Sequence, residues 1–139
     1  MGSRLPPRAC TTRRQPGAHG SARNPARGYV FPANSLDPRQ MGRIFAQVGR
    51  YCFQGHTHVP GIFIEQAPDD LYQFHSPEEV NYAYQLDGRK TLVNVGSVGQ
   101  PRDGDPRACY VLFDGDTIRY RRVEYDLEAT ISKIHAVPE

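Results

Sequence analysis

From Tyr51 to Val123 the apolar residues fall into short runs cut by Gly, Pro, Asp and Asn. Each run is too short for a typical helix and is rich in Val, Ile, Tyr and Phe, the residues that suit a pleated, half-buried surface. A chain patterned this way must bury its core between sheets. The predicted strands are Tyr51–Phe53, Gly61–Ile64, Leu71–Phe74, Val80–Leu86, Thr91–Val95, Cys109–Phe113 and Thr117–Val123. Asp87-Gly88 predicts a hairpin between the fourth and fifth runs, and Asp114-Gly115-Asp116 a hairpin between the last two. In the last run Ile118, Tyr120 and Arg122 alternate with Arg119, Arg121 and Val123, so one face is wet. Arg119, Arg121 and Arg122, with Glu124, Asp126 and Glu128 close by, read as a solvated face.

Helices flank this region. Tyr29-Val30-Phe31-Pro32 is a short extended piece. Asp37 then suits an N-cap, with Pro38 at the first helical position, where its missing N–H costs nothing. Met41, Ile44, Phe45 and Val48 share one helical face, and Gly49 marks the end of about three turns. A short helix from Leu127 to Ile134 closes the chain, with Leu127, Ile131 and Ile134 in register.

The 139 residues suffice for one domain. No stretch approaches the roughly 18 apolar residues of a membrane span. The formal charge of +2 is split: residues 1–27 carry six Arg and no acid, and the rest carries 11 basic and 15 acidic side chains, a net −4. This split argues against a uniformly basic nucleic-acid binder; such a role would rest on the head alone. The basic head, residues 1–18, reads as a transit-like peptide, as a basic arm or as a terminus without structure, the last being the expectation here; residues 19–139 form the domain. Three widely spaced Cys argue against a disulfide scaffold and fit a reducing, cytoplasmic setting, with Cys52 and Cys109 as small buried hydrophobes.

Three segments carry chemistry. Gly55-His56-Thr57-His58 directly follows an apolar strand. On an extended segment the two imidazoles would point the same way and could converge on one metal or on adjacent metals; the alternative is a pair of surface histidines. Asn94 to Arg107 is a long loop with three Gly and two Pro. Its N–H groups, with Arg102, could approach an anion, or it is a plain surface connection. His19-Gly20-Ser21 is unremarkable alone.

Together these segments resemble the later motifs of the calcineurin-like metallophosphoesterases, most closely the small bacterial phosphodiesterase-like branch. There a His-Gly-Ser segment precedes a Gly-His-Thr-His loop and an Asn-x-Gly-Ser-Val-Gly-Gln-Pro-Arg loop. The resemblance runs from about Ala18 to Ile134. It implies an α+β fold: the C-terminal half of an αββα sandwich, its strands mostly antiparallel or mixed, with one mid-chain helix and one short C-terminal helix. It also implies two divalent cations such as Mn²⁺, which polarise the phosphoryl group of a small phosphoester. Carried over, His19 and His56 would ligate one metal and His58 the other. Asn94, Gly96, Ser97, Gly99 and Arg102 would line or support the phosphate pocket.

The family's earlier motifs, Asp-x-His, Gly-Asp and Gly-Asn-His-Asp, do not occur upstream of Gly55, where the family pattern would place them. The bridging Asp and catalytic His they supply are therefore missing, and so is an apolar strand before His19. The expectation is half a domain, weakly active or inactive alone and holding at most one metal. A non-catalytic module, or a half that assembles with a separate N-terminal half, is the alternative. Half a sandwich also exposes apolar sheet surface, which predicts self-association.

Overall fold

The computed structural model describes residues 17–18, 28–66 and 71–137. The expectation for the basic head lies almost wholly outside them, and His19 lies outside them too.

A five-stranded sheet has the order β1-β2-β6-β3-β4, built from β1 (Gly17–Ala18), β2 (Tyr51–Gln54), β3 (Gly61–Gln66), β4 (Leu71–His75) and β6 (Thr91–Asn94). A three-stranded sheet has the order β5-β8-β7, from β5 (Ala83–Gln85), β7 (Ala108–Phe113) and β8 (Thr117–Val123). Within the larger sheet β1, β2 and β6 run parallel, while β3 pairs antiparallel with both β6 and β4. The mixed α+β architecture is the expected one. Helix α1 (Pro38–Phe45) lies against one face of the larger sheet, and α2 (Leu127–His135) follows β8.

Alternation along the strands makes two cores. Leu92, Phe63 and Cys52 pack with Met41, Ile44 and Phe45 of α1 and with Val30 and Val48. On the other face Ile62, Ile64 and Val93 meet Cys109, Ile118 and Tyr120 of the second sheet. Strands β3 and β6 sit inside the larger sheet, covered on both faces, which is why they read as unbroken apolar runs. The four apolar residues expected on the helix face are all buried. The Asp37 carboxylate accepts hydrogen bonds from the N–H groups of Arg39 (3.1 Å) and Gln40 (3.0 Å). Asp37→Ala should therefore lower stability by about 1 kcal/mol; an unchanged midpoint in thermal unfolding would refute that role for the cap.

Four expectations need correction. The run Val80–Leu86 is a strand only over Ala83–Gln85. Ser76 and Glu79 cap one another, Ser76 N–H to Glu79 Oε2 at 2.7 Å and Glu79 N–H to Ser76 Oγ at 3.3 Å, and wind the chain into turns. Asn81 and Tyr82 then adopt φ of 51° and 60°. Asp87-Gly88 joins no hairpin either: β5 belongs to the small sheet and β6 to the large one, so the turn carries the chain between layers. The Asp87 side chain is taken up by Arg89, which both its backbone and its guanidinium bind. A strand does precede His19, since Gly17 and Ala18 pair with Phe53 and Gln54. Main-chain pairing needs no apolar side chain, so β-propensity gave no sign of it. Lastly, Cys52 is disulfide-bonded, whereas Cys109 is the expected buried free thiol.

Several apolar groups of the small sheet and of α2 stay in solvent. Tyr110, Leu112 and Val123 of the small sheet are exposed, as are Leu127, Ile131 and Ile134 of α2. No helix among the described residues is long and apolar enough to cross a membrane.

Candidate metal centre

Parallel pairing of β2 with β6 brings their C-terminal ends to the same edge, Gln54 opposite Asn94. The two loops that leave this edge are Gly55–His58 and 95–107. Strand β1 ends there as well, Ala18 opposite Gln54, one residue before His19. Crevices outside the carboxyl ends of parallel strands are where such folds bind ligands.

Asn94 ties the two loops together. Its side-chain amide donates to Thr57 Oγ1 at 2.7 Å and to the Gly55 carbonyl at 3.2 Å, and its Oδ1 accepts from Gly96 N–H at 3.0 Å. Asn94 and Thr57 are both fully buried, so these bonds act in a low dielectric. The Asn94 carbonyl and that of Gly61 converge on the Tyr120 hydroxyl, at 2.8 and 2.9 Å. Burial raises the Tyr120 pKa well above that of an ordinary phenol, so it stays a donor at any physiological pH.

His56 and His58 are not on an extended segment. Their φ values, 73° and 61°, are left-handed, which corrects the premise that alternation aims both rings one way. Conformations this costly for non-Gly residues persist where the surroundings impose them, and they cluster at functional sites. The Tyr29 ring lies 4.2 Å from the His56 imidazole, and His56 Nε2 is buried. His58 Nδ1 is 2.8 Å from the Gln100 carbonyl. A carbonyl only accepts, so Nδ1 carries the proton and Nε2 presents its lone pair. That is how a protein holds an imidazole ready for a metal.

The 95–107 loop is held from several sides. Gly96 packs on Cys109, whose N–H donates to the Ser97 carbonyl at 2.8 Å. Ser97 Oγ accepts from the N–H groups of Gly99 and Gln100, and the Gly99 carbonyl accepts from the Tyr125 hydroxyl at 3.2 Å. Arg102 N–H donates to the His58 carbonyl at 3.2 Å, which ties its backbone to the histidine loop, and the residue is exposed.

Arg122 is the residue that sequence reasoning misplaced. Its side chain is only 3% exposed, and its guanidinium binds the Asp103 carboxylate, with Asp105 at 3.5 Å and Glu78 at 3.7 Å. Alternation in β8 already hinted at this, because Arg122 shares parity with Ile118 and Tyr120. Gln54 was also missed. It is buried at the edge of the site, and among the described residues neither terminal atom of its amide has a hydrogen-bond partner.

The donor set suits one ion in part. Two imidazoles are at hand, but among the described residues no three His, Cys, Asp or Glu side chains gather closely enough to hold a metal. No carboxylate among them bridges the two histidines, so the described residues do not fit a pair of cations.

No family model matches the chain. The uncharacterized protein MJ0912 of Methanocaldococcus jannaschii is 36% identical over 108 residues, which make up 76% of this chain and 39% of that protein. The crystal structure of a metallophosphoesterase from Sphaerobacter thermophilus aligns with a TM-score of 0.70 at 33% identity, over 86% of this chain and 48% of that one. The chain thus spans less than half the length of either relative.

Proposed function

We propose that the chain is a calcineurin-like metallophosphoesterase domain, on its 33% identity and TM-score of 0.70 to part of a metallophosphoesterase, and that its histidine loop is half of a phosphoesterase metal centre. The observation that carries this reading is the His58 Nδ1 to Gln100 carbonyl bond, which leaves Nε2 for a cation. His56 and His58 would hold the ion, with His19, next after β1, as the third imidazole. A bound Mn²⁺ or similar cation would polarise a phosphoryl oxygen of a small phosphoester. The protein's own contributions are positional. Asn94 fixes both loops, Gly96, Ser97 and Gly99 shape the pocket wall, and Arg102 offers its guanidinium to a phosphoryl oxygen.

Among the described residues no carboxylate bridges the two histidines, and the family motifs that supply the bridging Asp and catalytic His do not occur upstream of Gly55. The chain alone therefore binds at most one cation and turns over phosphoesters weakly or not at all. Calorimetric titration with Mn²⁺ should show binding at no more than one ion per chain, lost in His58→Ala. No heat above background for the wild-type chain would sink the metal reading. Turnover of an aryl phosphodiester with Mn²⁺, abolished by His56→Ala, would overturn the claim of inactivity.

A second reading rests on the exposed apolar face of β7, β8 and α2: the chain is a module that self-associates or assembles with a separate N-terminal half. Nucleic acid and membrane have no part in either reading.

A further inference from the structure

Next to the histidine loop stands a pair of exposed aromatic rings with no role in the core. In the segment Tyr29-Val30-Phe31 only Val30 is buried, at 1% exposure, while Tyr29 is 52% and Phe31 44% exposed. Alternation on extended backbone sends both rings the same way. Their planes are parallel to within 3° at a centroid distance of 5.8 Å, and Tyr29 in turn lies 4.2 Å from His56.

The backbone beneath the outer ring is held in place. Phe31 N–H donates to Asn34 Oδ1 at 2.6 Å, and its carbonyl accepts from Asn34 N–H at 2.9 Å. Pro32 opens a 3₁₀ turn over Pro32–Leu36 immediately after it. Val30 anchors the other side in the α1 core. Two large aromatic groups are thus kept in water and pre-oriented on a rigid support beside a candidate metal ligand. Fixing their geometry in advance lowers the entropic cost of binding a flat partner.

We propose that Tyr29 and Phe31 form a stacking platform for a planar aromatic or heteroaromatic ester group, so that this site takes nucleotide-like phosphoesters in preference to aliphatic ones. The proposal rests on the metal-centre reading for the phosphate end of the ligand and on the aromatic pair for the other end. Stacking of a base on an aromatic side chain discriminates by face and area and needs no hydrogen bonds.

The test uses the full chain with Mn²⁺, titrated in the calorimeter with AMP and with ribose 5-phosphate, which shares the sugar and phosphate but lacks the base. AMP should bind about tenfold more tightly, a difference of about 1.4 kcal/mol. Phe31→Leu, which keeps apolar bulk and does not touch His56, should bring the two ligands together while Mn²⁺ binding stays as in the wild type. Equal affinities in the wild type, no detectable AMP binding, or a tenfold preference that survives Phe31→Leu would each overturn the platform. The Mn²⁺ titration alone reports on the metal reading. An AMP preference without Mn²⁺ binding leaves the platform standing and removes the metal, and Mn²⁺ binding without an AMP preference does the reverse.

Discussion

Replacing Gly96 with alanine should lower the stability of the domain by about 3 kcal/mol and its midpoint of thermal unfolding by about 10 °C. Gly96 has φ +82°, and a Cβ there would stand 2.8 Å from Cys109 Cβ, 2.9 Å from its Sγ and 3.2 Å from Pro60 Cβ. The two costs add. One is a left-handed backbone that L side chains disfavour, and the other is overpacking between a loop and a strand that cannot both retreat. Cys109 is locked by its N–H bond to Ser97 and lies in the core between the sheets. Burial pushes its thiol up to about 11, so at neutral pH it packs as an uncharged group. Gly99→Ala is the matched control, since a Cβ at that position would meet nothing within 4 Å and its backbone is not left-handed. Equal midpoints for the two variants would show that the Gly96 contact is not tight.

Arg122→Met should be as damaging, at about 3–5 kcal/mol, because it removes the buried cation that faces Asp103 and Asp105. The loss reflects stranded carboxylates more than a forfeited attraction. Consequently Arg122→Met combined with Asp103→Asn should recover part of it. Acid should narrow the gap between wild type and variant from the other direction. The Arg107 guanidinium, with a further contribution from the charge of Arg122 that the variant loses, holds the Asp105 carboxyl down to about 2, against an ordinary value of 3.8. A depressed carboxylate stabilises the native state above its unfolded pKa, and that contribution fades as pH falls from about 4 toward 2. Denaturant midpoints across that range would test both statements; a gap that stays constant, with no rescue in the double variant, would contradict them.

Much of the architecture was readable because burial and period coincide. Met41, Ile44 and Phe45 on one face of α1, and the runs of β3 and β6, announce themselves by pattern, although the helix ends at Phe45, short of the expected three turns, and Val48 packs on the same core from beyond it. The hairpin of β7 and β8 followed from Asp-Gly-Asp between two β-rich runs, and Asp114 indeed accepts from the N–H groups of Asp116 and Thr117. Asp87-Gly88 carries the same local signal and means something else. Which sheet a strand joins is decided by partners far along the chain, and β5 finds β8 where β6 finds β2 and β3. The histidine loop was found by its motif, yet the features that prepare it were not. The Asn94 amide, the Gln100 carbonyl and the Tyr29 ring reach it through space, and no spacing rule links them. Arg122 was misjudged because acidic neighbours in sequence outweighed the parity of its strand.

The pairing of β2 with β6 also bears on the order in which the molecule comes together. Parallel neighbours cannot be joined by a tight turn, and Asn94 reaches back 39 residues to the Gly55 carbonyl. Arg122 lies 19 residues beyond the Asp103 it neutralises. Such closures come at an entropic cost that local contacts do not bear. The antiparallel pairs β3–β4 and β7–β8 are the short-range nuclei. The junction of the two loops depends on their meeting, so its amides, such as those of Val95 and Arg102, should exchange with solvent faster than those of β3 and β6.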